Sequence, residues 1–286
     1  MTTANRPAII VHGGAGRVRI EELSQRLEGC KEAALAGWQI LKQNGSALDA
    51  AEAAVVVLED NPLFNAGTGS TFNSLGKVEM DAAVMQGETL SVGAVAAVQG
   101  IKNPIKLARR VMEDGRHVLL VGEGARLFAR EIGFPECPTE ALIVEAEQKR
   151  WKEKHGTVGC VALDNQGKIA VGTSTGGIFD KLSGRVGDSP LPGCGTYADE
   201  YGGISCTGHG EGIIRIVMAK SALEFLRHGA DPVSAANQAL ILLAEKTSGT
   251  AGLIIIDREG RIGYARNTPC MPVCVITNEK GAETHS

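Results

Sequence analysis

The sequence lacks the features that would tie it to a membrane or to a nucleic acid. Its 286 residues contain no run of about 18 apolar residues, so no transmembrane helix is expected. The 29 lysines and arginines are scattered and are outnumbered by 33 aspartates and glutamates, so no basic patch for a nucleic acid is indicated. Residues 1–17 lack the n-region and h-region of a signal peptide. We therefore expect a cytoplasmic protein without a membrane or nucleic-acid partner.

Familiar cofactor and metal motifs are also missing. The sequence has no G-x-x-x-x-G-K-[ST] phosphate loop, no H-E-x-x-H and no paired C-x-x-C, so a zinc site is not expected. An α/β-hydrolase nucleophile elbow is not expected either. Seven cysteines at scattered positions indicate reduced thiols, most of them in the core, which agrees with a reducing compartment.

Aromatic residues make up only 4% of the chain, whereas glycine is abundant. The 37 glycines are about 13% of the residues, against about 7% in an average protein. They concentrate in four loops: residues 12–16 (HGGAG), 65–70 (NAGTGS), 174–180 (STGGIFD) and 207–212 (TGHGEG). Such loops either let the backbone approach a ligand closely or form tight turns, and composition does not decide between the two.

The hydrophobic pattern predicts strands, hairpins and helices in one α+β domain over residues 1–286. Helices are predicted over residues 21–43, 46–58, 103–113, 124–131, 210–226 and 231–245, with Ser46, Asn103 and Asp231 as N-caps. Strands are predicted over residues 7–11, 70–72, 78–85, 92–98, 117–121, 157–163, 168–173, 201–206, 253–257, 262–265 and 271–277. Hairpins require antiparallel sheets, and helices must cover one face of each sheet. A four-layer αββα sandwich is therefore expected.

A charged segment over residues 139–154 divides the chain, and we expect it to be a solvated helix or a linker. The predicted strand that follows it begins at Thr157. Two more threonines, Thr175 and Thr207, lie near the ends of predicted strands. The three hydroxyls converge if those strands are neighbours, but threonine is common at strand ends and spacing alone leaves this open.

The motifs taken together resemble the plant-type asparaginase/isoaspartyl-peptidase family of N-terminal nucleophile hydrolases. The resemblance spans about residues 7–277 and is carried by residues 12–16, 58–70, 77–82, 155–164, 173–190 and 207–211. The combination of GTVG, RVGDSP and TGHGE is far more specific than any single glycine motif. The segment before Gly156 is short for the family.

The resemblance implies that the chain cuts itself between Gly156 and Thr157. Residues 1–156 would become an α subunit and residues 157–286 a β subunit. The two would remain one αββα unit, and two such units would form a homodimer. Cleavage would make Thr157 a free N-terminus, whose α-amine, with a reference pKa of about 7.7–8.0, could serve as the base for its own hydroxyl.

The resemblance also implies roles for residues around that nucleophile. Thr175 would hold and polarise the Thr157 hydroxyl, and Asn65 would position the Thr157 amine. Thr207 and the backbone N–H of Gly208 would form the oxyanion hole.

Three further residues would bind the substrate head group in such an enzyme. Arg185 would bind the α-carboxylate through its guanidinium fork, and Asp188 would bind the α-ammonium. The backbone of Gly210 would help to hold the ammonium, and Gly208 would also contact the substrate.

The chemistry itself needs no cofactor, but the resemblance implies a structural sodium ion in the 58–68 loop. Its ligands would be main-chain oxygens of Leu58, Glu59, Asn61, Phe64, Ala66 and Thr68. The implied substrates are small molecules, L-asparagine and β-aspartyl (isoaspartyl) dipeptides, from which L-aspartate would be released.

Two alternatives remain open at this point. One is a glycosylasparaginase-like amidase, which would accept asparagine that carries a sugar. The other is a non-enzymatic module that binds an anion through its glycine loops at a helix N-terminus, and it predicts one intact chain.

Overall fold

The structure is a computed structural model that describes residues 7–143 and 156–286. Its strands are β1 (Ala8–His12), β2 (Met80–Gln86), β3 (Val92–Val98), β4 (Leu119–Val121), β5 (Val158–Leu163), β6 (Ile169–Thr175), β7 (Thr196–Asp199), β8 (Gly202–Gly208), β9 (Ala251–Asp257), β10 (Ile262–Arg266), β11 (Val273–Thr277) and β12 (Glu283–His285). Its α-helices are α1 (Ile20–Lys42), α2 (Ala47–Asp60), α3 (Pro104–Asp114), α4 (Gly122–Glu131), α5 (Gly210–Ile216), α6 (Met218–Arg227) and α7 (Pro232–Thr247). A short 3₁₀ helix covers Thr139–Leu142.

The strands of the described residues form two sheets. The larger sheet has the order β12-β11-β1-β5-β6-β2-β3-β4, and the smaller has the order β10-β9-β8-β7. Neighbouring strands are antiparallel except for β3 and β4, which are parallel. The mostly antiparallel arrangement predicted from the hairpins is confirmed.

Three apolar clusters separate four layers of structure. Helices α1 to α4 pack on one face of the larger sheet, and α5 to α7 pack on one face of the smaller sheet. The third cluster lies between the sheets and contains Ile10, Val161 and Ile254. Because successive strand residues face opposite sides, Ile10 lies between the sheets whereas its neighbours Ile9 and Val11 face the helices. The predicted αββα sandwich is therefore confirmed.

Two of the three predicted helix caps form as expected. The Ser46 hydroxyl accepts a hydrogen bond from the Asp49 N–H at 3.1 Å, and Asp231 accepts from the two backbone N–H groups at the start of α7. Asn103 makes no such cap bond. The N–H of Ile105 instead donates to the Glu59 carboxyl at 3.0 Å, so the end of α2 caps the start of α3.

Several short elements differ from the prediction. The helix expected over residues 210–226 is broken at Val217, whose φ of 50° is left-handed. The break lets the first N–H groups of α6 donate to the carbonyls of Gly193 and Cys194. Strands β7 and β12, which are four and three residues long, were not predicted. The strand expected over residues 70–72 is reduced to a single bridge from Phe72 to Val78.

Two further features concern the cysteines and the turn glycines. All seven cysteines lie within the described ranges and are free thiols, as predicted. Gly76, Gly167 and Gly260 have φ values of 71°, 79° and 78° in three similar turns, which is why those positions need glycine.

Most of the charged 139–154 segment lies outside the described residues. No helix in the described ranges is long and apolar enough to cross a membrane.

Glycine allows close contact between the two sheets at the centre of the molecule. A β-carbon on Gly159 of β5 would overlap the Ser205 hydroxyl of β8 and would lie 2.5 Å from His12 Nε2. The Ser205 hydroxyl bridges His12 Nε2 at 2.9 Å and the Thr173 hydroxyl at 2.8 Å. Burial lowers the pKa of His12 to about 3, although the Thr157 backbone acts in the opposite direction, so the ring is neutral.

We expect Gly159→Ala to destabilise the protein by about 1–3 kcal/mol, because the added methyl group must push the sheets apart. The measurement is the thermal unfolding midpoint. The matched control is Gly124→Ala in α4, where a β-carbon meets nothing within 4 Å. This variant should leave the midpoint unchanged or raise it slightly, since alanine stabilises a helix by up to about 1 kcal/mol relative to glycine. Equal midpoints for the two variants would contradict this role of Gly159.

Candidate active site

The register of the larger sheet brings two of the three threonines together. Val158 of β5 faces Ser174 of β6, so Thr157 and Thr175 lie side by side at one end of the pair. Strand β8 of the smaller sheet brings Thr207 to the same place. The Thr157 backbone N–H donates to the Thr207 hydroxyl oxygen at 3.2 Å. The structure thus joins residues that are 50 positions apart in the sequence.

Thr207 is a shared acceptor behind the site. Its hydroxyl oxygen also accepts from the Ala15 N–H, at 3.1 Å. A hydroxyl has two lone pairs and one proton, so these two bonds leave its O–H free to donate. The Thr207 hydroxyl oxygen therefore holds both the first glycine loop, residues 12–16, and Thr157, which directly precedes β5.

The peptide bond before Thr157 lies where two glycines pack back to back. Gly156 has a φ of 141° and Gly14 a φ of 101°, both in the region that favours glycine. A β-carbon on Gly14 would lie 2.5 Å from the α-carbon of Gly156. Residues with a side chain are therefore excluded at these two positions. The backbone of the first loop lies against the Gly156–Thr157 bond.

A cavity of about 700 Å³ opens beside Thr157. Of the predicted site residues, six line it: Gly156, Thr157, Thr175, Arg185, Asp188 and Gly208. The other lining residues are Ala15, Gly16, Arg17, Gly177, Ile178, Phe179, His209, Thr250, Thr268 and Pro269. Thr207 and Asn65 lie in the wall behind these groups.

Asp188 lines this cavity and has one carboxyl oxygen without a hydrogen-bond partner. Its side chain is buried, and Oδ2 has no hydrogen-bond partner among the described residues. Burial raises the pKa of Asp188 to about 7, although its own backbone N–H and the Arg185 guanidinium act in the opposite direction. A buried carboxylate without a partner is costly, so a cation bound here would be strongly favoured.

Two glycines make room for this carboxylate and its neighbour. A β-carbon on Gly195 would lie 2.6 Å from Asp188 Oδ2. A β-carbon on Gly210 would lie 2.9 Å from Asp188 Oδ1 and 2.8 Å from Arg185 Nη2. Gly210 therefore lies against Arg185 and Asp188, the two side chains predicted to bind the head group.

Glu211 is a residue of this site that the sequence analysis missed. It accepts from Arg185 Nε at 3.0 Å and lies 2.9 Å from Nη2. Partial burial opposes its ionisation, but the hydrogen bond from Arg185, its own backbone N–H and the charge of Arg185 together outweigh burial, and the pKa of Glu211 is lowered. Its place in the TGHGE motif, one residue after Gly210, was the available signal. Glu211 orients the guanidinium and neutralises part of its charge.

Buried charges also fix the loop that carries Arg185 and Asp188. Asp81 accepts from the N–H of Gly187 at 2.9 Å and from that of Ala97 at 2.8 Å. The Lys181 ammonium donates to the carbonyls of Glu79 and Gly176. Glu79 and Asp81 are the two acids of residues 77–82 (KVEMDA), and their hydrogen bonds to the 176–188 loop explain why this segment belongs with the site.

Asn65 lies close to Thr175 but does not reach Thr157 in the uncut chain. Its amide Nδ2 donates to the Gly177 carbonyl at 2.7 Å, and its Oδ1 accepts from the Thr71 N–H. The Gly177 N–H in turn donates to the Thr175 hydroxyl at 2.9 Å. Asn65 therefore holds the end of β6, and its contact with a free Thr157 amine stays a prediction.

The loop expected to hold sodium folds under the C-terminus of α2. The Thr68 N–H donates to the Glu59 carbonyl at 2.7 Å, and the Phe64 N–H donates to that of Asn61 at 3.1 Å. The last carbonyls of a helix lack intrahelical partners and carry partial negative charge. Such oxygens suit a hard cation, and each carbonyl retains a second lone pair. The residues fit a main-chain cation site, although no side-chain metal cluster occurs in the described ranges.

One motif was overlooked in the sequence and is excluded by the structure. Residues 172–176 (GTSTG) fit the G-x-S-x-G pattern of an α/β-hydrolase elbow. Ser174 is fully buried within β6, where it pairs with Val158 of β5 and Ala82 of β2, and its hydroxyl donates to Glu59 at 2.6 Å. An elbow serine must be exposed on a sharp turn, so Ser174 is not a nucleophile.

The sequence is similar to known proteins on both sides of the Gly156–Thr157 bond. The family model described as asparaginase matches residues 5–155 and 152–285, and the two matches meet just before Gly156. The plant-type L-asparaginase of Pyrococcus abyssi is 52% identical over 290 residues, covering 92% of this chain and 94% of that protein. The isoaspartyl peptidase/L-asparaginase of Homo sapiens is 47% identical over 270 residues, covering 89% of this chain and 88% of that protein.

The αββα layers and these relatives define the class of protein, an enzyme of the N-terminal nucleophile hydrolases. Within that class, the chain belongs to the asparaginase family.

Proposed function

We propose that this protein cuts itself at Gly156–Thr157 and then hydrolyses the side-chain amide of L-asparagine and of β-aspartyl dipeptides, releasing L-aspartate. The observation that carries the proposal is that the Arg185 guanidinium and the buried Asp188 carboxyl, which has one unpartnered oxygen, line the same cavity as Thr157. Relatives named L-asparaginase and isoaspartyl peptidase support the same reaction.

The two charges explain why the substrate would be an amino acid with a β-acyl group. An amino acid carries a carboxylate and an ammonium on one carbon, and Arg185 and Asp188 offer the matching opposite charges. Binding the head group there leaves the β-carbonyl for Thr157. A substrate without either charge would leave a buried group unpaired, which costs more than the lost contact itself.

Self-cleavage would use the same threonine. The Thr157 hydroxyl oxygen attacks the Gly156 carbonyl carbon, the peptide C–N bond breaks, and the nitrogen takes up a proton to become an amine. Water then hydrolyses the resulting ester, freeing the Gly156 carboxylate and the Thr157 hydroxyl. The glycine-only backbone at Gly14 and Gly156 supports this step, because it lets the first loop lie directly against the bond that would break.

Turnover would follow the same chemistry on the substrate. The Thr157 amine takes the proton of its hydroxyl, which attacks the β-carbonyl while Thr175 holds it. The oxyanion would accept from the Thr207 O–H and the Gly208 N–H, and Asn65 would position the amine. The amine then protonates the leaving nitrogen, and water hydrolyses the acyl-threonine to L-aspartate.

The charges that line the cavity bear on one alternative, and the substrate comparison below bears on the other. A purely anion-binding module is disfavoured, because the buried Asp188 carboxyl would repel an anion and Glu211 already occupies part of Arg185. A glycosylasparaginase-like activity remains an outcome of the substrate comparison below. No feature of the described cavity favours a sugar over a peptide.

We also propose a structural sodium ion, a homodimer of cleaved units and a cytoplasmic location. The loop under α2 supports this proposal, since Leu58, Glu59, Asn61, Phe64, Ala66 and Thr68 would supply main-chain oxygens to the ion. The seven free thiols support a reducing compartment. The dimer rests on the family resemblance, and light scattering of the cleaved protein measures it.

The cleavage prediction is a conversion of the chain into two fragments. Incubated protein should yield residues 1–156 and 157–286 on denaturing electrophoresis, and mass spectrometry should show a second fragment that begins Thr-Val-Gly-Cys. Thr157→Ala should stay intact and inactive, whereas the control Thr157→Ser keeps a hydroxyl and should still cleave. A wild-type chain that stays whole after long incubation, and releases no ammonia from L-asparagine, would sink the proposal.

The substrate preference is measured on the cleaved protein. L-Asparagine, β-Asp-Leu and asparagine carrying N-acetylglucosamine are compared by the release of L-aspartate. We expect hydrolysis of the first two. Faster release from the glycosylated substrate would favour the glycosylasparaginase-like alternative.

The pH dependence should differ between kcat/KM and kcat. The raised pKa of Asp188, about 7, means that the free enzyme loses this carboxylate as the pH falls below 7, so it loses the ammonium site. The reference pKa of an α-amine is about 7.7–8.0, so the neutral form of a free Thr157 amine is lost over the same range. We therefore expect log kcat/KM to fall with a slope approaching two. Bound ammonium lowers the pKa of Asp188, so log kcat should fall with a slope of one. Identical acid limbs would contradict this.

Removal of sodium should destabilise the protein if the loop under α2 binds it. We expect the unfolding midpoint to drop by about 2–4 °C when sodium is replaced by choline at equal ionic strength, since a ligand of the folded state stabilises by mass action. Added sodium chloride should restore it. Equal midpoints in sodium and choline would contradict the site.

A further inference from the structure

The residues that line the cavity fall into two groups. Arg185 and Asp188, next to Gly210, form the proposed head-group end. Ala15 to Arg17 and Thr268 to Pro269 also line the cavity. We assign them to a second end because their described hydrogen bonds are with Thr207, Arg266 and Cys270, not with Arg185 or Asp188. Reciprocal backbone bonds of 2.9 and 3.0 Å between Gly16 and Cys270 hold these two segments together. Ala15 and Thr157 share the Thr207 hydroxyl, so this second end begins directly beside the residue that would attack.

The size of the cavity exceeds what asparagine needs. About 700 Å³ falls within the roughly 300–1,000 Å³ of pockets that hold drug-sized ligands. Asparagine has only nine non-hydrogen atoms, and its leaving group is ammonia. The space beyond Thr157 is therefore available for a leaving group that is itself an amino acid.

Charge marks Arg17 as the residue that would recognise such a leaving group. Among the residues that line the cavity, Asp188 is the one acid, and the basic ones are Arg17, Arg185 and His209. Glu211 neutralises Arg185 and lies 3.6 Å from His209. Arg17 is exposed at the rim and makes no hydrogen bond or ion pair with another described residue.

The neighbouring arginine at this end is already in use. Arg266 donates to the carbonyls of Thr268 and Ser286, so its guanidinium supports the wall of the cavity. Arg17 is thus the cation with free donors at the leaving-group end of the part of the cavity that the structure describes. A guanidinium fork suits a carboxylate geometrically as well as by charge.

We propose that Arg17 is a specificity-determining residue that binds the α-carboxylate of the amino acid released from a β-aspartyl dipeptide. In such a dipeptide the scissile nitrogen is bonded to an α-carbon that carries this carboxylate, so the anion leaves toward the second end of the cavity. Ammonia from L-asparagine has no such group. Arg17 therefore favours dipeptides over asparagine, and the inference rests on the proposed function of the same site.

The test compares three substrates across a set of variants. The substrates are β-Asp-Leu, β-Asp-leucinamide, which lacks the carboxylate charge, and L-asparagine. The variants are Arg17→Gln, Arg17→Lys and the control Arg110→Gln, an exposed arginine of α3. Electrophoresis first confirms that each variant is fully cleaved, so that rates refer to mature protein.

We expect Arg17→Gln to lower kcat/KM for β-Asp-Leu about three- to fivefold, mainly through KM, because an exposed ion pair contributes modestly. The rates for the amide and for L-asparagine should not change. Arg17→Lys should retain most of the activity on β-Asp-Leu, and Arg110→Gln should behave as wild type on all three substrates.

Two outcomes would overturn the role of Arg17. An equal loss on β-Asp-Leu and its amide would show that the arginine contacts something other than the carboxylate, or acts on the structure. An unchanged preference in Arg17→Gln would show that it does not contact the leaving group. Hydrolysis of L-asparagine by the wild type reports on the proposed function separately, so the two ideas can fail independently.

Discussion

The hydrogen bond from the Thr157 backbone N–H to the Thr207 hydroxyl is the contact on which the site depends. It joins the start of β5 in the larger sheet to the end of β8 in the smaller sheet, at 3.2 Å. The sheets approach this closely because Gly159 has no side chain where Ser205 crosses it. A wider spacing would separate Thr157 from Thr207, and the first glycine loop, which shares that hydroxyl, would lose its anchor as well.

The charged end of the cavity also depends on close packing, at Gly195 and Gly210 next to Asp188. Asp188 is buried with one oxygen unpartnered, which raises its pKa and makes the unliganded site costly. That cost is tolerated because Asp81 and Lys181 hold the surrounding loop by hydrogen bonds from several directions. A site that is rigid and unsatisfied before it binds spends little energy on rearrangement, so most of the interaction energy is available for the ligand.

Sequence periodicity predicted the layers because it reports local properties. The caps at Ser46 and Asp231, the turn glycines and the hairpins depend on neighbours within a few residues. The break at Val217 carried no glycine or proline signal, because its cause is the distant loop at Gly193 and Cys194. Glu59 likewise replaced Asn103 as the cap of α3 through a contact that only the packing of α2 creates.

The sequence by itself determined the αββα class, the threonine that opens β5 and the motifs that carry the family resemblance. Only the tertiary structure decided that Thr157 meets Thr207, that Glu211 occupies Arg185, that Asp188 keeps a free oxygen and that Ser174 is buried. The physical reason is that these facts are distances between residues far apart in the chain. Such distances depend on how two sheets stack, whereas periodicity and turn chemistry constrain only residues that are close in sequence.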